Sequence, residues 1–243
     1  MNKKNILVNI ILLTLLVLLI FKENYIPKIY NIIKSKSSSE INIETEDYKH
    51  ETALYKEYNK KGNIVMLGNS ITYRVHWNEL LNRNDIINRG IGHDITKGML
   101  TRLNYVFNAN PRICFIMGGI NDINKGIDTE VIVSNLNQIS DKLKKKNIKP
   151  IIYSIIYVAE SYPEYEQKNK LILNTNKEIE TMCLKNDIEF INLNHTLSSN
   201  KALKKMYSFD GLHLTALGYV KWKEIIAPII NREIEEQNKT KHQ

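Results

Sequence analysis

From residue 63 onward, short apolar runs alternate with longer stretches in which apolar positions recur every three or four residues. Five of the short runs, at 64–67, 85–88, 113–117, 150–158 and 188–193, read as strands. Most are too continuously apolar to leave one face to solvent, which is the pattern of parallel strands covered on both sides. The clearest helix spans 129–146, where Ile132, Leu136, Ile139 and Leu143 share one face opposite a lysine-rich one. A second helix at 216–230 closes the domain. Strand, helix and strand in repeated order produce right-handed crossovers. They predict an α/β domain of three layers, α/β/α, around a five-stranded parallel sheet, with its ligand site beyond the C-terminal ends of the strands.

Ahead of this pattern the chain has a different character. Residues 6–21 are apolar except for Asn9 and Thr14, and Lys3 and Lys4 precede them. A run of 16 residues lies between a signal-peptide core and a full membrane span. No small-x-small cleavage pattern follows Phe21, so residues 1–24 are expected to form an uncleaved signal anchor, the alternative being a signal peptide. Residues 25–49 form a polar linker, 50–232 the globular domain and 233–243 a C-terminal tail. Lys22, Lys28, Lys34 and Lys36 follow the apolar run and disfavour export, but a large domain crosses a membrane largely regardless of such a bias. The expectation is a membrane-anchored protein with its domain outside the cell, or a secreted one.

Composition narrows the function classes. The 243 residues are 43% apolar and 25% charged, as in ordinary globular proteins. The net charge of +8 is dispersed, without a dense basic run interleaved with aromatics, so no nucleic-acid partner is expected. Cys114 and Cys183 lack metal-ligand spacing, so no metal site is expected, and both lie in apolar segments that point to buried free thiols. No phosphate-binding glycine motif follows the first strand, so no nucleotide cofactor is expected, nor any other.

The chemistry is sought where strands end. The first ends in Leu67-Gly68-Asn69-Ser70-Ile71-Thr72, which places Ser70 at a strand-to-helix turn as either a nucleophile or a simple helix N-cap. The third ends in Gly118-Gly119-Ile120-Asn121-Asp122, where the Asn121 carboxamide is either an oxyanion donor or part of a turn. After the second comes Asn88-Arg89-Gly90-Ile91-Gly92-His93-Asp94, a glycine-containing loop whose N–H groups form another donor set. Before the last helix stands Phe209-Asp210-Gly211-Leu212-His213, in which an Asp and a His three apart can meet across one turn. His76 and Trp77 follow Ser70 closely and either pack or line a pocket. His195 has no motif around it and is expected on a surface loop.

These four segments, in this order, resemble the SGNH/GDSL hydrolase family over roughly residues 63–230. The resemblance implies the family's flavodoxin-like sandwich and a serine esterase with no cofactor and no metal. Carried over by position, it makes Ser70 the nucleophile, His213 the base and Asp210 its orienting acid. The oxyanion hole falls to Ser70, His93 and Asn121, with Gly92, Gly119 and His76 as further pocket candidates. The stretch INRGIGHDITKGMLTRL at 87–103 is most similar to the acetylhydrolase and carbohydrate-esterase branches. The implied partner is an acylated small molecule or glycan, and the implied reaction is removal of small acyl groups, acetyl foremost. A lipolytic acyl hydrolase, an acyltransferase and a non-catalytic glycan-binding protein are the alternatives. Two departures stand out: Asn69 replaces the Asp of many members, and His93 occupies the position usually held by the oxyanion glycine, where its side chain is expected to narrow the pocket.

Overall fold

The computed structural model describes residues 43–58 and 60–240, with side chains up to residue 233. The apolar run at 6–21 lies outside the described residues. Among the described residues no helix is long and apolar enough to cross a membrane.

Five parallel strands form the central sheet, β1 (Ile64–Gly68), β2 (Ile86–Gly90), β3 (Ile113–Met117), β4 (Lys149–Tyr153) and β5 (Glu189–Ile191), in the order β2-β1-β3-β4-β5. Every residue of β1 and β3 is buried, which explains their lack of polar alternation. The order turns back between β1 and β3, and the loops after these strands meet there, at the crevice where parallel sheets bind ligands. Helices cover both faces, led by α7 (Thr129–Lys144), α8 (Tyr165–Lys185) and α10 (Ala216–Thr240). The predicted face of α7 is the buried one. On the other side Trp222 of α10 stacks edge-on with Trp77 and Tyr153 at centroid distances of 5.0 and 5.1 Å. Trp77 is therefore core, and its ring nitrogen donates to Thr72 O. Cys114 and Cys183 are both buried and free. Burial pushes the Cys183 thiol up to about 12 and the Cys114 thiol higher still.

Four boundaries differ from the sequence pattern. The run at 150–158 is buried throughout, yet the ladder stops at Tyr153. Beyond it, asparagine side chains replace a neighbouring strand: Asn176 bonds both backbone groups of Ile155, Asn169 both of Val158, and Asn194 accepts from Tyr157 N–H. Burial is apolar there, but hydrogen bonding is not that of a sheet. β2 continues through Arg89 and Gly90, since it pairs with the end of β1 in register. At the N-terminus, α1 (Glu46–Glu57) begins inside the segment read as linker, capped by Thr45, whose hydroxyl accepts from Tyr48 N–H. At the C-terminus α10 runs on to Thr240, through the stretch expected to be a tail.

Two charged side chains are fully buried near the end of β1. Arg102 donates through Nε to Asp94 (2.8 Å), through Nη1 to Arg89 O (2.8 Å) and through Nη2 to Gly68 O (3.0 Å). One guanidinium thus ties the ends of β1 and β2 to the loop that follows β2. That loop is also held from β3's side: Asn121 Nδ2 donates to Asp94 O (2.8 Å), and Thr96 donates through N–H and hydroxyl to the buried Asp122. Burial pushes the Asp122 carboxyl up to about 6, although these donors pull the other way.

Candidate active site

The turn after β1 carries Ser70 at the start of a short helix, α2 (Ser70–Tyr73). Gly68 is required just before it, because a Cβ there would lie 2.1 Å from Thr72 Oγ1 and 2.8 Å from Met117 O. The cap of α2 is Asn69, whose Oδ1 accepts from Ile71 N–H at 3.0 Å. Ser70 is therefore not the N-cap, and its hydroxyl is free to bond elsewhere. Asn69 caps the helix as an aspartate would, while its buried Nδ2 has no partner among the described residues.

The Ser70 hydroxyl meets the ring of His213, with Oγ 2.9 Å from Nε2. His213 Nδ1 lies 2.6 Å from Asp210 Oδ2. Since Nδ1 donates to the carboxylate, Nε2 is left to accept the serine proton. Local geometry sets this up. Asp210 Oδ1 accepts from the N–H groups of Leu212 and His213, a turn made around its own side chain, with Gly211 in the left-handed region at φ +89°. Ala159 N–H holds Gly211 O and anchors the turn to the sheet extension. Partial burial would raise the Asp210 pKa, but hydrogen bonds from the His213 ring and from the two backbone N–H groups outweigh it and hold it below the usual carboxylate value. A hydroxyl, an imidazole and a carboxylate linked in this sequence can activate a serine as a nucleophile.

The relay opens on a cleft of about 380 Å³. Ser70, Tyr73, Arg74 and His213 line one part, Gly92 and His93 another, and Asp47, His50 and Glu51 of α1 the rest. The contribution of α1 was not visible in the sequence. Only Tyr55 of that helix is buried, so an apolar stripe is missing, and the one local sign was Thr45 followed by Glu46 and Asp47, a helix-start pattern.

His93 has a left-handed backbone, φ +59°. That conformation favours glycine and makes a histidine here unusual. Its ring is largely exposed and reaches out to α1, where Nδ1 pairs with Asp47 Oδ2 at 2.9 Å. The backbone N–H of His93 has no acceptor among the described residues. Gly92 faces the same carboxylate, and a Cβ there would lie 2.5 Å from Asp47 Oδ2. Asn121 sits beside this loop, with one amide hydrogen on Asp94 O and the other uncommitted.

The remaining pocket candidates fall elsewhere. Gly119, at φ +122°, faces Ile155 and is packed rather than open. His76 is exposed and pairs with Glu79 (3.1 Å), away from the residues that line the cleft. His195 is exposed as expected, but it lies on the short helix Asn194–Leu197 rather than on a loop. A larger groove, about 800 Å³, runs between α7 and α8 but includes neither a histidine nor a cysteine.

Residues 66–221, more than half of the chain, match the model of the GDSL-like lipase/acylhydrolase family. A GDSL-like lipase from Bacteroides thetaiotaomicron superposes with a TM-score of 0.68 at 26% identity, covering 77% of this chain and 98% of that one. A lipase/acylhydrolase from Enterococcus faecalis, 23% identical, shares the fold with a TM-score of 0.62 over 71% of this chain and 96% of its own. An N-acylneuraminate cytidylyltransferase from Streptococcus agalactiae serotype III is 27% identical over 172 residues, 69% of this chain; the chain spans only 40% of the length of that relative. With this match over more than half of its length and a flavodoxin-like strand order, the chain belongs to the GDSL-like lipase/acylhydrolase family and is an ester hydrolase.

Proposed function

We propose that this hydrolase is a serine esterase that removes short acyl groups, acetyl foremost, from carbohydrate esters. The observation that carries the reading is the relay from Ser70 through His213 to Asp210 at the mouth of the cleft. Ser70 Oγ attacks the ester carbonyl carbon while His213 Nε2 takes its proton. The tetrahedral intermediate collapses, and the same proton passes to the departing alcohol oxygen. Water then repeats the sequence on the acyl-serine and releases the acid. Asp210 keeps the imidazole in the tautomer this exchange needs and remains ionised in mildly acidic solution. The oxyanion is assigned to the Ser70 and His93 backbone N–H groups and the second amide hydrogen of Asn121.

A short acyl group is supported by the walls of the cleft, which apart from the Tyr73 ring are polar, charged or glycine. Among the described residues a long chain would find no apolar channel there, which weighs against a lipid ester. The carbohydrate part is supported by the stretch at 87–103 and by the relative named for acting on a sugar acid. Residues 6–21 are proposed as an anchor that places the domain outside the cell. The test is a series of p-nitrophenyl esters with the full chain, because Asp47 of α1 is part of the cleft wall. The kcat/KM is expected to fall steadily from acetate to butyrate to octanoate, and a maximum at octanoate would replace this reading with the lipolytic one.

The oxyanion assignment predicts an ordering. Asn121→Ala should lower kcat about a hundredfold to a thousandfold with little change in KM, because the donor acts mainly in the transition state. His93→Gly retains the N–H and suits φ +59°, so its loss should stay below about tenfold. Equal damage from the two, in folded proteins, would mean that the imidazole itself takes part.

A further inference from the structure

Besides its histidines, the cleft holds three charged side chains, Asp47, Glu51 and Arg74. The two carboxylates are engaged. Asp47 accepts from His93, and Glu51 accepts from the Tyr73 hydroxyl at 3.1 Å. Arg74 makes no ion pair and no side-chain hydrogen bond with any described residue. Its position is nevertheless set. Its backbone N–H donates to Ser70 O at 3.0 Å, which places it one turn after the serine. Its guanidinium carbon lies 6.0 Å from the centre of the Phe209 ring. Phe209 is 61% exposed and lies nearly parallel to the His213 imidazole, with centroids 6.0 Å apart and planes 16° from each other. Arg74, Phe209 and His213 thus stand in a row along the rim. A guanidinium resting against an aromatic ring is oriented by it while its N–H fork remains available to another partner.

We infer that Arg74 is a specificity residue, and that it binds an oxyanion, carboxylate or phosphate, carried by the substrate beside its ester group. This rests on Ser70 being the nucleophile. The planar fork matches either anion in a two-point hydrogen bond, and arginine gives up its hydration more readily than lysine. The anion keeps the same charge from ground state to transition state. The contact therefore strengthens binding in both, and its effect falls on affinity rather than on kcat.

The experiment is competitive inhibition of p-nitrophenyl acetate hydrolysis by glucose, glucuronate and glucose 6-phosphate, which needs no particular acyl position. In the wild type, glucuronate, glucose 6-phosphate or both should inhibit about tenfold or more better than glucose, and the stronger of the two identifies the anion. Arg74→Ala should abolish that advantage, Arg74→Lys should keep part of it, and Arg74→Glu should reverse it. Lys145→Ala, at the opposite end of the sheet, should retain the advantage, which separates a local contact from attraction by the net charge of +8. The inference is overturned if neither anion outcompetes glucose, or if the advantage survives in Arg74→Ala. Failure of the esterase reading would show differently, as undiminished turnover of p-nitrophenyl acetate by Ser70→Ala.

Discussion

Ser70→Ala is expected to lower kcat on p-nitrophenyl acetate by roughly four to six orders of magnitude, and His213→Ala by a similar factor. The reason is the 2.9 Å contact between Ser70 Oγ and His213 Nε2. Either residue is of little use without the other, since the hydroxyl is a weak nucleophile until the imidazole takes its proton. The double variant should therefore be little worse than either single one. Folding should survive the serine change, because Ser70 is 9% exposed and its hydroxyl is bonded to a side chain rather than to the backbone. Asp210→Asn should cost less than either, since it removes the charge that holds the ring but neither the nucleophile nor the base. If folded Ser70→Ala keeps more than about a tenth of wild-type turnover, the serine assignment is wrong.

Arg102→Met should destabilise the fold by about 3–5 kcal/mol, read as a lowered midpoint in urea at neutral pH. Arg102 and Asp94 are both fully buried. Removing the guanidinium leaves a carboxylate in the interior without its counter-charge and takes donors from Gly68 O and Arg89 O. Adding Asp94→Asn should recover much of the loss, because the stranded charge, rather than the missing attraction, is the larger cost. The pH dependence has a definite sign. Burial already raises the Asp94 pKa above its unfolded value with Arg102 present, and without Arg102 it rises further. The folded variant then binds a proton that the unfolded chain does not, so the deficit is full above the folded pKa and shrinks as pH falls toward the unfolded one. A deficit under about 1 kcal/mol at neutral pH, or one that grows on acidification, would contradict this account. Because Arg102 joins the ends of β1 and β2 to the loop bearing His93, activity should fall before global unfolding is complete.

Much of the fold was legible because it depends on short-range patterns. Buried parallel strands have to be apolar on both faces, so β1 and β3 stand out within five residues, and a helix with one buried face repeats every three or four. The segment after Tyr153 misled for a physical reason. It is as buried as a strand, but its backbone is satisfied by Asn169, Asn176 and Asn194, which are 11 to 39 residues from their partners and leave no periodic trace. The helix at 46–57 leaves little apolar pattern because it packs mainly through Tyr55, with Tyr48 partly buried beside it, so its first turn looks like a polar linker.

The sequence by itself determined the elements, their order, and a turn that brings Asp210 to His213, because that turn is made from hydrogen bonds between residues two and three apart. Through resemblance it also pointed to Ser70, 143 residues from the histidine it meets. Only the tertiary structure decided that Asn69 caps the helix and frees the Ser70 hydroxyl, that Asp47 and Glu51 wall the cleft, and that Arg74 stands there without a counter-charge among the described residues. Side-chain pairing across a folded crevice depends on how distant loops close over one another. Such closure leaves no period and no spacing in the chain.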